Sequence, residues 1–234
     1  MTVSSPSGRV LSDAQRADLD ALRAVSDSVE LKLTVPASQH RATLEALRID
    51  PLDAEIRNVF FFDTPKLVLN EAGLVVRARR TQRKGDDTVV KSRPLVPTEV
   101  PDEVRSSPNF MVEVDAMPGS FVCSGSMKRT LPQPDVRTTV AGARPLRKLF
   151  SKEQRAYYDA HAPAGVVLDN LTVLGPITVF KAKFTPAGFA RKLVAEMWMY
   201  PDGSRVLELS TKTAPEDSWT AADETRAFLD ECGV

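Results

Sequence analysis

Several short runs of this chain alternate between apolar and ionisable residues, and the ionisable positions come in pairs two apart. Glu30 and Lys32, Arg77 and Arg79, Lys91 and Arg93, Glu113 and Asp115, and Lys181 and Lys183 all follow this spacing. In an extended strand, residues i and i+2 point to the same side of the sheet. Each pair therefore sets two ionisable groups on one face. The opposite face is apolar, as with Val29, Leu31, Leu33 and Val35, or Val76 and Ala78. Near the C-terminus Glu208, Ser210 and Lys212 share a face in the same way. A half-exposed sheet also alternates, but its solvated face usually mixes signs. Here Arg77/Arg79, Lys91/Arg93 and Lys181/Lys183 are wholly basic and Glu113/Asp115 wholly acidic.

Helical segments with apolar stripes are predicted over residues 12 to 25, behind a cap at Ser12-Asp13, over 38 to 48, and over 221 to 231. Strands are expected at 28 to 35, 59 to 62, the segment holding Arg77 and Arg79, 88 to 93, 110 to 115, 177 to 184, 192 to 200 and 205 to 212, with a short one at 166 to 168. The last two long strands are joined by the turn Pro201-Asp202-Gly203-Ser204. Asp63-Thr64-Pro65 opens another turn, and the Gly-, Ser- and Pro-rich stretch 118 to 142 reads as a loop or a partly helical excursion. If helices cover the apolar outside of a closed sheet, the charged faces must line its interior. This predicts an α+β fold: a closed antiparallel β-barrel of about eight strands forming a tunnel, with flanking helices. Residues 1–11 read as a disordered N-terminus and 12–234 as a single domain.

Charge narrows the partners. Lys+Arg and Asp+Glu both number 31 in the 234 residues, so long-range attraction to nucleic acid or an anionic membrane is not favoured. Cys123 and Cys232 are the only cysteines and suit a reducing cytoplasm. His40 and His161 lack metal-ligand spacing to either. The polar N-terminus carries no signal-peptide pattern. A lumen lined with Arg and Lys suits a polyanion, and carboxylates among them suit a divalent cation.

The residues also resemble the CYTH family, or triphosphate tunnel metalloenzymes, which includes class IV adenylyl cyclases, thiamine triphosphatases and inorganic triphosphatases. The family's Glu-x-Glu-x-Lys strand is matched by Ser28-x-Glu30-x-Lys32. Its Phe-Asp-Thr-Pro and Gly-Leu-x-x-Arg-x-Arg signature is matched at Phe62 to Pro65 and Gly73 to Arg79. Lys91-x-Arg93 and Glu113-x-Asp115 fall where the family has further pairs, and Glu208-x-Ser210 where it has a last acidic pair. The resemblance implies hydrolysis of an inorganic or small organic triphosphate, with Mg²⁺ or Mn²⁺ held by Glu30, Glu113, Asp115, Glu196 and Glu208. It implies phosphate contacts from Lys32, Arg77, Arg79, Lys91, Arg93, Lys181, Lys183, Arg191 and Lys212. Glu30 and Lys32 would be catalytic, with Ser28 or Ser210 orienting water. Serine replaces a signature glutamate at both positions, so a tunnel that only binds a polyphosphate is the alternative, and adenylyl cyclase a second. The expected setting is the cytoplasm, as a monomer or homodimer.

Overall fold

The computed structural model describes residues 11–234, so the expectation of disorder at the N-terminus falls almost wholly outside the described residues. Leu11, within that expectation, is half-buried and packs on the core. The described residues form nine strands: β1 (Ser28–Val35), β2 (Glu55–Asp63), β3 (Leu74–Thr81), β4 (Asp86–Ser92), β5 (Phe110–Met117), β6 (Ser120–Leu131), β7 (Thr172–Phe184), β8 (Leu193–Met199) and β9 (Arg205–Thr213). Seven helices accompany them: α1 (Asp13–Arg23), α2 (His40–Ala46), α3 (Val68–Glu71), α4 (Asp102–Arg105), α5 (Asp135–Val140), α6 (Lys152–His161) and α7 (Ser218–Glu231). The strands close into one barrel in the order β1-β5-β6-β4-β3-β2-β7-β8-β9.

The closed barrel is as expected, but it has nine strands rather than about eight and is not wholly antiparallel. A closed ring with an odd number of strands must contain at least one parallel neighbour pair, and here it is β1 beside β5. The added strand is β6, in the stretch read as a loop. Its outward side carries Gly125 against α6, where a Cβ would lie 2.6 Å from the Tyr157 hydroxyl and 2.8 Å from Phe110. A small residue there is a packing requirement. No strand forms at 166 to 168; Leu168–Asn170 is a turn of 3₁₀ helix and β7 begins at Thr172.

The apolar faces point outward under a helical coat. One core joins Val29, Phe62, Val76, Val90, Val112 and Met127 of the barrel to Leu19 of α1, Val136 of α5 and Tyr157 and Tyr158 of α6. A second joins Val35, Ala195, Leu207 and Leu209 to Leu47, just past α2, and Leu229 of α7. α6 is also clipped on by polar contacts. Gln154 closes a capping box with Ser151 and its Nε2 donates to the carbonyls of Thr88 and Met127 at 3.1 and 3.0 Å. The turn after β2 is built by buried Asp63, whose carboxylate accepts from the backbone N–H groups of Thr64, Leu69 and Asn70. It anchors α3, and Gly73 then enters β3 with φ +72° and no room for a side chain beside the Arg93 carbonyl. Among the described residues no helix is long and apolar enough to cross a membrane.

Candidate functional site

Cross-strand partners share a sheet face, so the register traces the lumen around the barrel. On β1, Ser28 and Glu30 face Glu113 and Asp115 of β5. Lys32 faces Ser210 of β9, and Thr34 faces Glu208. Glu208 lies opposite Glu196 of β8, which lies opposite Lys181 of β7, which lies opposite Glu55 of β2. Across the barrel, Arg77 and Arg79 of β3 neighbour Phe61 and Val59 on one side and Val89 and Asp87 on the other. Lys91 of β4 lies opposite Ser126 of β6. With the apolar faces committed to the helical coat, this second face is the tunnel wall.

The charges form separate groups. Lys32 Nζ lies between three carboxylates, 3.5 Å from Glu30, 3.5 Å from Asp115 and 3.7 Å from Glu208. Lys91 also pairs with Asp115, at 3.0 Å. Glu113 is held by Lys212 at 2.5 Å and Lys128 at 3.3 Å. Glu196 pairs with Lys181 at 2.6 Å and stands 3.8 Å from Arg57. Arg57 and Lys84 converge on Glu55, and Arg79 holds Asp87 at 2.9 Å. Arg77 is different: among the described residues it makes no ion pair, and the Nε of this half-buried residue is shut off from solvent without an acceptor.

Proton affinities follow these surroundings. Burial alone would lower Lys32, but Asp115, Glu30 and Glu208 outweigh it and push the ammonium up to about 12. Burial, helped by Arg79, brings Arg77 down to about 10. Glu113 would be raised by burial, yet Lys128 and Lys212 pull it down to about 2. Burial raises Glu208, and Glu196, Glu30 and Asp115 add to this against the pull of Lys32. Burial lowers Lys181 despite its pairing with Glu196.

The structure brings Ser28, Glu30, Lys32, Arg77, Arg79, Lys91, Glu113, Asp115, Lys181, Glu196, Glu208, Ser210 and Lys212 to one lumen. Two expected phosphate ligands, Arg191 and Arg93, stand apart. Arg191 precedes β8 and clasps α7, with Nη1 2.5 Å from Asp217 and Nε 2.6 Å from Glu224. Arg93 lies beyond the last residue of β4 and is exposed. Lys183, though exposed, keeps the lumen face of β7, opposite Val194, which lies opposite Ser210. Sequence reasoning missed Glu55, Arg57, Asp87 and Lys128. Arg57 keeps the alternation that runs through Val59 and Phe61, so extending that strand toward its start would have found it. Lys128 ends the spacing Ser124, Ser126, Lys128, a signal masked by the glycine between the serines.

Among the described residues no group of His, Cys, Asp and Glu forms a ready-made metal cage. Glu30, Asp115 and Glu208 nevertheless converge on a single cation, and their oxygen donors suit a hard divalent ion. Lys32 occupies the point they share and Lys91 also holds Asp115, while Glu113 and Glu196 are engaged by other cations. Ser28 Oγ faces the same side of β1 as Glu30 and is buried without a hydrogen-bond partner. A surface cavity of about 550 Å³ lies outside the barrel, beside α2, with Leu44, Ile49 and Met197 among its lining. It is remote in character from this charge cluster.

No protein-family model and no curated protein matches the sequence. The structure is similar to that of a candidate adenylate cyclase from Bacillus halodurans, with TM-score 0.60 and 13% identity over 89% of this chain and 90% of the other. It is also similar to a candidate adenylyl cyclase from Hippeastrum with a dominant triphosphatase activity. That likeness has TM-score 0.60 and 19% identity over 88% of this chain and 87% of the other. At these identities the likeness establishes the fold: the chain has the CYTH-type tunnel fold.

Proposed function

We propose that the tunnel binds the phosphate chain of an inorganic or small organic triphosphate and hydrolyses it with Mg²⁺ or Mn²⁺. The observation that carries this reading is Arg77, half-buried in the lumen wall, with its Nε shut off from solvent and no ion pair among the described residues. A buried unpaired cation is costly, and an anionic ligand removes that cost. Arg79, Arg57, Lys91 and Lys181 surround the same lumen and supply further donors, the arginines as planar forks matched to phosphate oxygens. Glu30, Asp115 and Glu208 would hold the metal. When bound, the ion neutralises phosphoryl charge and activates water. The buried Ser28 hydroxyl, without a partner among the described residues, would orient a water in the lumen. The triphosphatase activity of the Hippeastrum neighbour supports the reading.

Binding without turnover is the second reading, favoured by the Lys32 ammonium at the centre of the acidic group and by serine at 28 and 210. Release of phosphate from tripolyphosphate, ATP and thiamine triphosphate, each with Mg²⁺ and with Mn²⁺, separates the two. Turnover that rises in Ser28→Glu and Ser210→Glu supports the enzyme. Tight binding with no turnover under any condition leaves only the binding module, and cyclic AMP from ATP makes the tunnel a cyclase.

A further inference from the structure

We propose that Lys32 is a resident counter-ion that keeps divalent metal out of the free tunnel, so that metal enters only together with a bound polyphosphate. This deepens the reading of the lumen as a phosphate site and rests on it. The first observation is position. Lys32 Nζ is within 3.7 Å of Glu30, Asp115 and Glu208, the three carboxylates that converge on one point. An ammonium and a divalent ion cannot share that point. The second observation is Ser28 Oγ, which faces the lumen from β1 and is buried at 6% exposure with no hydrogen-bond partner. The carboxylates have a cation in the free protein, while this hydroxyl still lacks its partner.

Release of Lys32 needs a rival anion. Phosphate oxygens in the lumen offer the ammonium new partners, and Lys32 is a flexible point charge able to follow them. Once it leaves, Glu30 and Glu208 lose their cation and Asp115 keeps only Lys91, an unfavourable state that a divalent ion relieves. Metal and phosphate binding are then coupled, and the coupling is reciprocal by thermodynamic necessity. The serines at 28 and 210 fit the same logic. Two further glutamates would leave excess negative charge that one lysine could not neutralise.

The test is Mn²⁺ binding to the full chain, followed by electron paramagnetic resonance without phosphate, beside calorimetry of metal-free tripolyphosphate binding. Wild type is expected to bind Mn²⁺ weakly and Lys32→Met at least tenfold more tightly. Lys32→Arg, which keeps a permanent cation, should stay weak. If Lys32→Met fails to fold, as judged by circular dichroism, Lys32→Gln takes its place. Wild type should also bind the Mn²⁺ complex of tripolyphosphate at least tenfold more tightly than metal-free tripolyphosphate. Equal Mn²⁺ affinity in wild type and the neutral variant, with tripolyphosphate still bound, overturns the counter-ion role alone. No binding of tripolyphosphate in any form overturns the phosphate reading and this coupling with it.

Discussion

Replacing Arg77 by methionine should make the free protein more stable and deprive it of its ligand. Burial, with Arg79 adding to it, lowers Arg77 from 12.5 to about 10. The unfolded guanidinium therefore holds its proton more tightly than the folded one. The resulting cost is present at all pH values below about 10 and fades only above that. At about 1.4 kcal/mol per tenfold change in proton affinity, keeping this charge in the folded lumen costs roughly 3 kcal/mol at pH 7. Methionine removes the charge while retaining much of the apolar stem. Allowing for lost packing, Arg77→Met should gain about 1–3 kcal/mol, or about 2–4 °C in Tm for each kcal/mol in a chain of this size. The ligand reverses the sign. A hydrogen bond to a charged group contributes about 1.5–3 kcal/mol, so tripolyphosphate affinity should fall by about 10- to 100-fold. Thermal melts with and without tripolyphosphate, alongside calorimetric titration, read both effects. A variant that melts lower than wild type and keeps its affinity would refute the argument that Arg77 is held ready for an anion.

Glu113 should give the protein an acid limit. Its carboxyl is pulled from 4.5 to about 2, chiefly by Lys128 and Lys212 against burial, so its contribution is complete above pH 4.5 and is lost as pH falls toward 2. Denaturant melts across that window should show stability falling in wild type and a flatter profile in Glu113→Gln. Arg191→Ala should lower Tm by only a few degrees, because its partners Asp217 and Glu224 are largely solvent-exposed. It should leave tripolyphosphate affinity unchanged, and a large loss of affinity would return Arg191 to the site. Asp63→Ala leaves three N–H groups of the turn and α3 without their acceptor. It should cost about 2–4 kcal/mol in urea unfolding, and a cost under about 0.5 kcal/mol would show that water replaces the carboxylate freely.

The strands that were legible are those whose two faces differ sharply. β1, predicted at 28 to 35, forms over Ser28–Val35 because Val29 and Val35 meet the helical coat while Glu30 and Lys32 meet the lumen. β6 was hidden because its lumen side is serine and its outer side includes Gly125, residues selected by close packing that also make up loops. Arg191 was misplaced for another reason. Spacing locates a residue along the chain, but the two carboxylates that capture it come from the middle of α7 and the turn before it. Lys32 shows the same limit within the lumen. The alternation puts it on the face with Glu30, yet its neighbours Asp115 and Glu208 arrive from β5 and β9.

The parallel pair accounts for how the lumen divides its charge. β9, β1 and β5 are consecutive around the barrel and carry Glu208, Glu30, Glu113 and Asp115, while β4, β3 and β2 are consecutive on the other side and carry Lys91, Arg79, Arg77 and Arg57. The register of β1 against β5 sets Glu30 directly beside Asp115. Lys91 of β4 reaches across to Asp115 of β5 at 3.0 Å and ties the two sides of the lumen together. Placing β5 next to β1 gathers acids with acids, and like charges so gathered need a cation. In the free protein Lys32 meets that need for Glu30, Asp115 and Glu208. The opposite wall, ending in the unpaired Arg77, needs an anion. A ligand that presents phosphate to Arg77 and a divalent ion to Glu30, Asp115 and Glu208 satisfies both.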